Sequence, residues 1–171
     1  ILARLAPETG AMRLKTSVLL LPIVNAVEAA QNVATLDHIC HGRLDVGVAI
    51  GYRETELEAV GLTRKDRAPK LEESLALMKR LWSGEEVTFE GRYTRLTRAR
   101  MGFTCFQQPH PPLEMGAQSD GAARRAARIT DGVFFGPQVA WRDIEKLAAV
   151  FRDERAKQAG RTADVRINKA G

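Results

Sequence analysis

Residues 14–51 constrain the fold more than any other part of the chain. Two almost continuously apolar runs begin at Leu14 and Leu44, and between them Val27, Ala30, Val33, Ala34 and Ile39 recur at helical spacing. Apolar runs without in–out alternation read as strands buried on both faces, the habit of parallel sheets, and a helix joining two of them makes a βαβ unit. The spacing predicts strands at 14–21 and 44–50, with Asp45 near the start of the second, and a helix at 26–40 stopped by His41-Gly42. Chemistry is expected where the strands end, around residues 17–22 and 50–52.

The remainder alternates in the same way. A helix end at 1–6 closes at Pro7, and a short helix is expected at 54–60. Leu71, Leu75, Met78, Leu81 and Trp82 place a helix at 66–82. Period-two runs at 87–89 and 93–96, either side of Glu90-Gly91-Arg92, read as a β-hairpin. Pro109, Pro111 and Pro112 then lead to a strand at 113–115, a polar turn at 116–120 and a helix at 121–129. A strand at 132–135, a helix at 141–159 and a strand at 165–169 complete the pattern. Such alternation belongs to α/β folds, either an open doubly wound sheet or a (β/α)8 barrel. A whole barrel runs to about 250 residues, so five main strands cannot close one. Local pattern leaves an open sheet and a barrel piece as alternatives.

Composition narrows the classes. The 171 residues are 44% hydrophobic and 27% charged, ordinary for a globular protein, and no apolar run reaches the length of a membrane span. The first residues lack both a Met and the order of a signal peptide, and they begin inside an amphipathic pattern, as if cut from a longer chain. The net charge of +5 comes from scattered arginines without interleaved aromatics, which reads as solvated surface rather than a nucleic-acid interface. Cys40 and Cys105 are too few for a disulfide framework and read as reduced thiols of a cytoplasmic protein.

Few motifs carry chemistry on their own. The run from Gly47 to Gly51 is not a dinucleotide fingerprint, and no phosphate loop or nucleophile elbow is present. Gly47, inside a strand, marks a close approach of another backbone or a flat ligand, or simply tight packing. Gly116-Ala117-Gln118-Ser119-Asp120 lies between a strand and a helix start, where free N–H groups and the helix dipole favour an anion. Ser119 or Asp120 serves equally well there as an ordinary N-cap. Asp37-His38-Ile39-Cys40-His41 has metal-like spacing but no second cluster to complete four ligands, so no metal is expected. Glu72-Glu73 and Glu85-Glu86 read as solvated carboxylates, and His110, set among prolines, as structural.

Taken together, several stretches resemble the luciferase-like monooxygenase family of flavin- or deazaflavin (F420)-dependent oxidoreductases. They are Lys15-Thr-Ser-Val-Leu-Leu-Leu-Pro22, Glu28-Ala-Ala-Gln-Asn-Val-Ala-Thr-Leu-Asp37 and Gly42-Arg-Leu-Asp-Val-Gly-Val-Ala-Ile-Gly-Tyr52. Glu56-Leu-Glu-Ala-Val-Gly61, Leu81-Trp82, Val87-Thr-Phe-Glu-Gly-Arg-Tyr93, Pro109-His-Pro-Pro112, Ala122-Ala-Arg-Arg-Ala-Ala-Arg128 and Asp131-Gly132 follow in the family's order. The resemblance implies an α/β fold, a partial (β/α)8 TIM barrel comprising strands 3 to 7 with their helices and a small β-hairpin insertion. Residues 1–171 would then be a single barrel domain truncated at both ends.

The resemblance also implies a site. FMN or coenzyme F420 would sit at the carboxyl ends of the strands, over a non-prolyl cis peptide at Ser17–Val18. Gly51 and Tyr52 would flank the cofactor, and Gly116, Ala117, Gln118 and Ser119 would meet its phosphate. The catalytic residue is left unassigned. Reduced flavin with O2 would oxygenate a small organic substrate, or F420 would exchange hydride with one. A separate flavin reductase and a homo-oligomer are implied partners, and nucleic acid and membrane are not. Two departures stand out. Ile50 occupies the place where bacterial luciferase has a phosphate-binding arginine, and Thr104-Cys105 replaces a common Lys/Arg-Pro pair, as surface drift. Asp37 and Arg43 match family positions and are expected to be structural, paired across a helix end. A cofactor-free phosphate-binding barrel enzyme, or an inactive barrel fragment stable only by association, are the competing readings.

Overall fold

A computed structural model describes residues 1–158 together with the backbone of the strand Arg166–Lys169. The chain falls into two compact units, Ile1–Pro111 and Pro112–Gly171.

In the first unit, helix α1 (Leu2–Leu5) leads to strand β1 (Leu14–Leu20), helix α2 (Ala26–Ile39) and strand β2 (Leu44–Ala49), with β1 and β2 paired in parallel. This is the βαβ unit expected. Its first strand stops one residue early because Leu21–Ile23 turns into a 3-10 helix with Pro22 inside it. Asn25 caps α2, its side-chain oxygen accepting from the Val27 and Glu28 amides. His41 and Gly42 end it with positive φ values of 48° and 75°. Helices α3 (Glu54–Glu58) and α4 (Arg67–Trp82) follow, and α4 buries Leu71, Leu75, Met78, Leu81 and Trp82. The Trp82 indole N–H donates to the Ala30 carbonyl at 3.0 Å, which fixes α4 on α2 and satisfies both buried groups.

The hairpin comprises β3 (Val87–Glu90) and β4 (Arg95–Ala99). Its second strand begins two residues later than the alternation predicts. Glu73 on α4 explains the shift: its carboxylate accepts from the amides of Arg92, Tyr93 and Thr94, so those residues bond to α4 rather than to β3. Two further corrections concern polar groups. Asp37 and Arg43 do not pair. Asp37 accepts from the Gln107 amide and side chain at 2.8 Å, while Arg43 donates to Thr9 and to the Ala6 and Met12 carbonyls. The buried carboxylate of Asp45 instead takes a two-point ion pair from Arg13, both bonds at 2.8 Å. Cys105 is not surface drift, for it is 2% exposed.

The second unit places β5 (Leu113–Gly116), β6 (Gly132–Phe135) and β7 (Arg166–Lys169) in parallel order, with α5 (Asp120–Ile129) and α6 (Trp141–Ala156) between them. Phe135 and Phe151 are fully buried, and Ala123, Ala126 and Ala127 let the helices approach closely. Glu154 of α6 bridges Arg124 and Arg128 of α5 at 3.4 and 3.0 Å. Helix α6 ends three residues before the expected 159, which itself lies outside the described residues, as does Val165 at the expected start of the last strand. Both units are α/β with parallel strands, and no described helix is long and apolar enough to cross a membrane.

Candidate functional site

In the first unit the expected site residues lie on the β1–β2 pair and the turn that follows it. The Thr16 hydroxyl donates to the Gly47 carbonyl at 2.8 Å and accepts from the Gly47 amide at 2.9 Å. These side-chain bonds replace ladder bonds, and the register slips between Thr16 and Leu19. Ser17 and Val18 occupy the slip, and the peptide between them is cis, as the resemblance implies. Ser17 is exposed and Val18 half-buried. Gly47 allows this packing, since a Cβ there would collide with the Thr16 carbonyl oxygen. The close approach expected at Gly47 is therefore to another backbone.

Beyond β2, Ile50 is half-buried and Gly51 has φ 75°, a turn that glycine adopts without steric cost. The Gly51 carbonyl accepts from the Arg67 guanidinium at 3.1 Å. Tyr52 is 78% exposed, with the Arg53 guanidinium 5.5 Å from its ring centroid. Ser17, Val18, Gly51 and Tyr52 are thus carried by one parallel pair, on the C-terminal half of β1 and the turn that leaves β2.

The second unit carries the other four. Gly116 ends β5 against the Phe134 ring, which would lie 3.1 Å from an added Cβ. Ala117 is buried and donates its amide to the Phe134 carbonyl at 3.1 Å. Gln118 and Ser119 are exposed, and Ser119 caps α5, its hydroxyl accepting from the Ala122 amide at 3.3 Å. The N-cap role is thereby observed. Gly121 has no atom within 4 Å of a built Cβ, so the backbone at the helix start stays open. Beside it is a cleft of about 430 Å3 bordered by Gln118, Ser119, Gln138 and Lys146, in which Lys146 lies 3.5 Å from Asp120.

Each unit by itself has features that suit part of a flavin or deazaflavin. In the first, the β1 slip carries an exposed Ser17 and a half-buried Val18, and Gly51 turns the chain as it leaves β2. In the second, the start of α5 suits a phosphate. Among the described residues no three His, Cys, Asp or Glu side chains converge as a metal site. His38 and His41 meet the Phe106 ring, at 5.7 and 6.3 Å between centroids, and His110 packs 5.6 Å from Trp82. The contacts of Thr16 with Gly47 and of Arg67 with the Gly51 carbonyl were not legible in the sequence. Gly47, a glycine in an apolar strand, is the signal that points to the first, whereas nothing local marks the second.

Residues 1–169 match the family model described as luciferase-like monooxygenase. Among curated relatives, the F420-dependent glucose-6-phosphate dehydrogenase of Nakamurella multipartita is 39% identical over 107 residues, 60% of this chain and 30% of that one. The crystal structure of monooxygenase RslO1 from Streptomyces bottropensis superposes with TM-score 0.87 at 28% identity, covering 98% of this chain and 52% of that one. The FMN-bound oxygenating constituent of 3,6-diketocamphane monooxygenase from Pseudomonas putida shares the fold, with TM-score 0.84 at 18% identity over 97% and 50% of the two chains. The chain spans about half the length of the first curated relatives it matches, 51% of mycobacterial proteins of undescribed function. With its half-set of parallel β/α units and a family match along nearly its whole length, this chain is a partial (β/α)8 barrel that belongs to the luciferase-like monooxygenase family.

Proposed function

We propose that the protein carrying this chain is an oxidoreductase that holds reduced FMN or coenzyme F420 over the β1–β2 pair and acts on a small organic substrate in the cytoplasm. The observation that carries this reading is the Thr16–Gly47 exchange, which breaks the strand register and turns Ser17 and Val18 out of the ladder. An F420-dependent relative and the FMN-bound fold neighbour support the cofactor class.

When bound, the cofactor supplies either O2 activation or hydride transfer, chemistry that the protein's own side chains lack. The chain's residues bind and orient. Ser17 and Val18 give a surface for one face of the ring system, and Gly51 and Tyr52 border it. In the second unit, the exposed residues Gln118 and Ser119 with the start of α5 suit a phosphate. In this reading Tyr52, exposed and with the Arg53 guanidinium over its ring, covers the cofactor ring and excludes water. Two buried, unbridged thiols accord with a reducing compartment. A homo-oligomer and, for the FMN form, a separate reductase complete the proposal.

Fluorescence titration of the complete protein with FMN and with F420, oxidised and reduced, tests it. Saturable binding of one cofactor is expected, and binding of neither would overturn the reading. Turnover of a phosphorylated metabolite by cofactor-free protein would establish the phosphate-barrel alternative instead.

A further inference from the structure

Asp66 stands at the N-cap of α4, yet its side chain accepts from no amide of its own helix. An aspartate there ordinarily serves the free N–H groups of the first turn. This carboxylate turns to two other segments instead. Oδ2 accepts from the Thr63 hydroxyl and amide at 2.6 and 3.0 Å, and Oδ1 from the Tyr93 hydroxyl and the Arg92 guanidinium at 2.9 and 2.8 Å. The side chain is 15% exposed, so these four bonds stand in for most of its hydration. Tyr93 is half-buried, and burial together with the Asp66 bond pushes its phenol above the ordinary value, which keeps it a donor.

The next residue reaches the other way. Arg67 donates to the Gly51 carbonyl at 3.1 Å, on the turn that leaves β2. That turn has little packing of its own. A Cβ built on Gly51 meets only Leu20, at 4.0 Å, and Tyr52 is 78% exposed. Two consecutive residues of α4 therefore tie the hairpin turn to the β2 exit turn within the first unit. Strands β3 and β4 stay outside this line of contacts. Glu73 separately holds the amides of Arg92, Tyr93 and Thr94, so loss of the Tyr93 hydroxyl leaves the hairpin seated.

We propose that Tyr93 is a positioning residue for the β2 exit turn: its hydroxyl fixes Asp66 and the first turn of α4, from which Arg67 holds the Gly51 carbonyl and sets the stance of Gly51 and Tyr52. Contiguous hydrogen bonds joined by one rigid helical turn are a physical route for such coupling. A turn ordered before binding loses less conformational entropy when a ligand arrives. The consequence for binding rests on the flavin or deazaflavin reading above; the positioning itself does not.

Amide NMR of the complete, isotope-labelled protein without cofactor is the first test. Its probe is the Tyr52 amide, whose nitrogen shares a peptide bond with the Gly51 carbonyl and so reports the Arg67 bond. R67A is expected to move that resonance, and Y93F to move it in the same direction by a smaller amount. In the R67A background Y93F should move it no further. D66N repeats the comparison from the acceptor side, with far-UV circular dichroism and the urea midpoint as controls. For whichever of FMN or F420 the wild type binds, Y93F should raise Kd by about three- to tenfold, and the double variant should stay within about twofold of R67A. A merely structural hydroxyl would lower the urea midpoint and leave the Tyr52 resonance in place, and that result overturns the proposal. Additive effects of Y93F and R67A, or an unchanged Kd in Y93F, overturn it as well. Binding of neither cofactor by wild type overturns the cofactor reading and leaves the resonance comparison to decide the positioning.

Discussion

Thr16 and Gly47 exchange hydrogen bonds in both directions, the threonine hydroxyl donating to the glycine carbonyl at 2.8 Å and accepting from its amide at 2.9 Å. One side chain thereby does the work of a strand's backbone, and the two residues after it leave the ladder. Thr16→Val keeps the shape but leaves the buried Gly47 N–H and C=O without these partners, so we expect a loss of about 1–3 kcal/mol in urea unfolding. Gly47→Ala, whose methyl meets the Thr16 carbonyl oxygen, should cost about 1–3 kcal/mol by overpacking. Wild-type stability in both variants would contradict the described geometry.

The hairpin is held by a side chain rather than by its own turn. Glu73 accepts three consecutive backbone amides, at 2.8 Å from Arg92, 2.9 Å from Tyr93 and 2.8 Å from Thr94. Glu73→Ala should speed hydrogen exchange at these three amides and destabilise the protein by roughly 1–3 kcal/mol, with α2 exchange unchanged. Exchange that stays slow at all three would remove Glu73 from this role.

This pair of contacts shows what sequence makes legible. Helical spacing located α2 and α4 because burial of one face repeats every 3.6 residues, and the apolar runs located β1 and β2 because both faces are covered. Glu73 read as a solvated carboxylate because its partners lie about twenty residues on, beyond any local period. The same distance hid Asp37, whose partner is Gln107, and so the expected pairing with Arg43 failed. The cis peptide at Ser17–Val18 came from family resemblance, as periodicity carries no trace of it. Arg67 stayed invisible because an arginine opening an amphipathic helix is ordinary until its tether to Gly51 is seen.

Asp66 gives a pH signature. Its carboxylate accepts from the Thr63 hydroxyl and amide at 2.6 and 3.0 Å and from the Tyr93 hydroxyl at 2.9 Å, and these bonds hold its pKa down from 3.8 to about 2. The unfolded chain binds the proton first, so the stabilisation is complete above about pH 4 and is lost as pH falls through about 2. Asp66→Asn should flatten the stability profile across that window, measured by thermal unfolding. An unchanged slope would exclude Asp66 as its source.

Both thiols should be inert in the folded protein. Burial pushes the Cys105 thiol up to about 12, with the Asp37 carboxylate adding to it, and burial likewise raises Cys40. The thiolate is the nucleophile, so at pH 8 a disulfide reagent should label neither cysteine natively and both in denaturant. Rapid labelling of the native protein would contradict their burial.

The central claim is that cofactor binds on the strand-end elements described. Hydrogen–deuterium exchange of the complete protein, with and without saturating FMN or F420, tests it directly. We predict that the cofactor that binds slows exchange at residues 14–20, at 50–52 and at 116–119, and leaves the hairpin β3–β4 unchanged. Protection absent from all three segments, or confined to the hairpin and the outer face of α6, would contradict it.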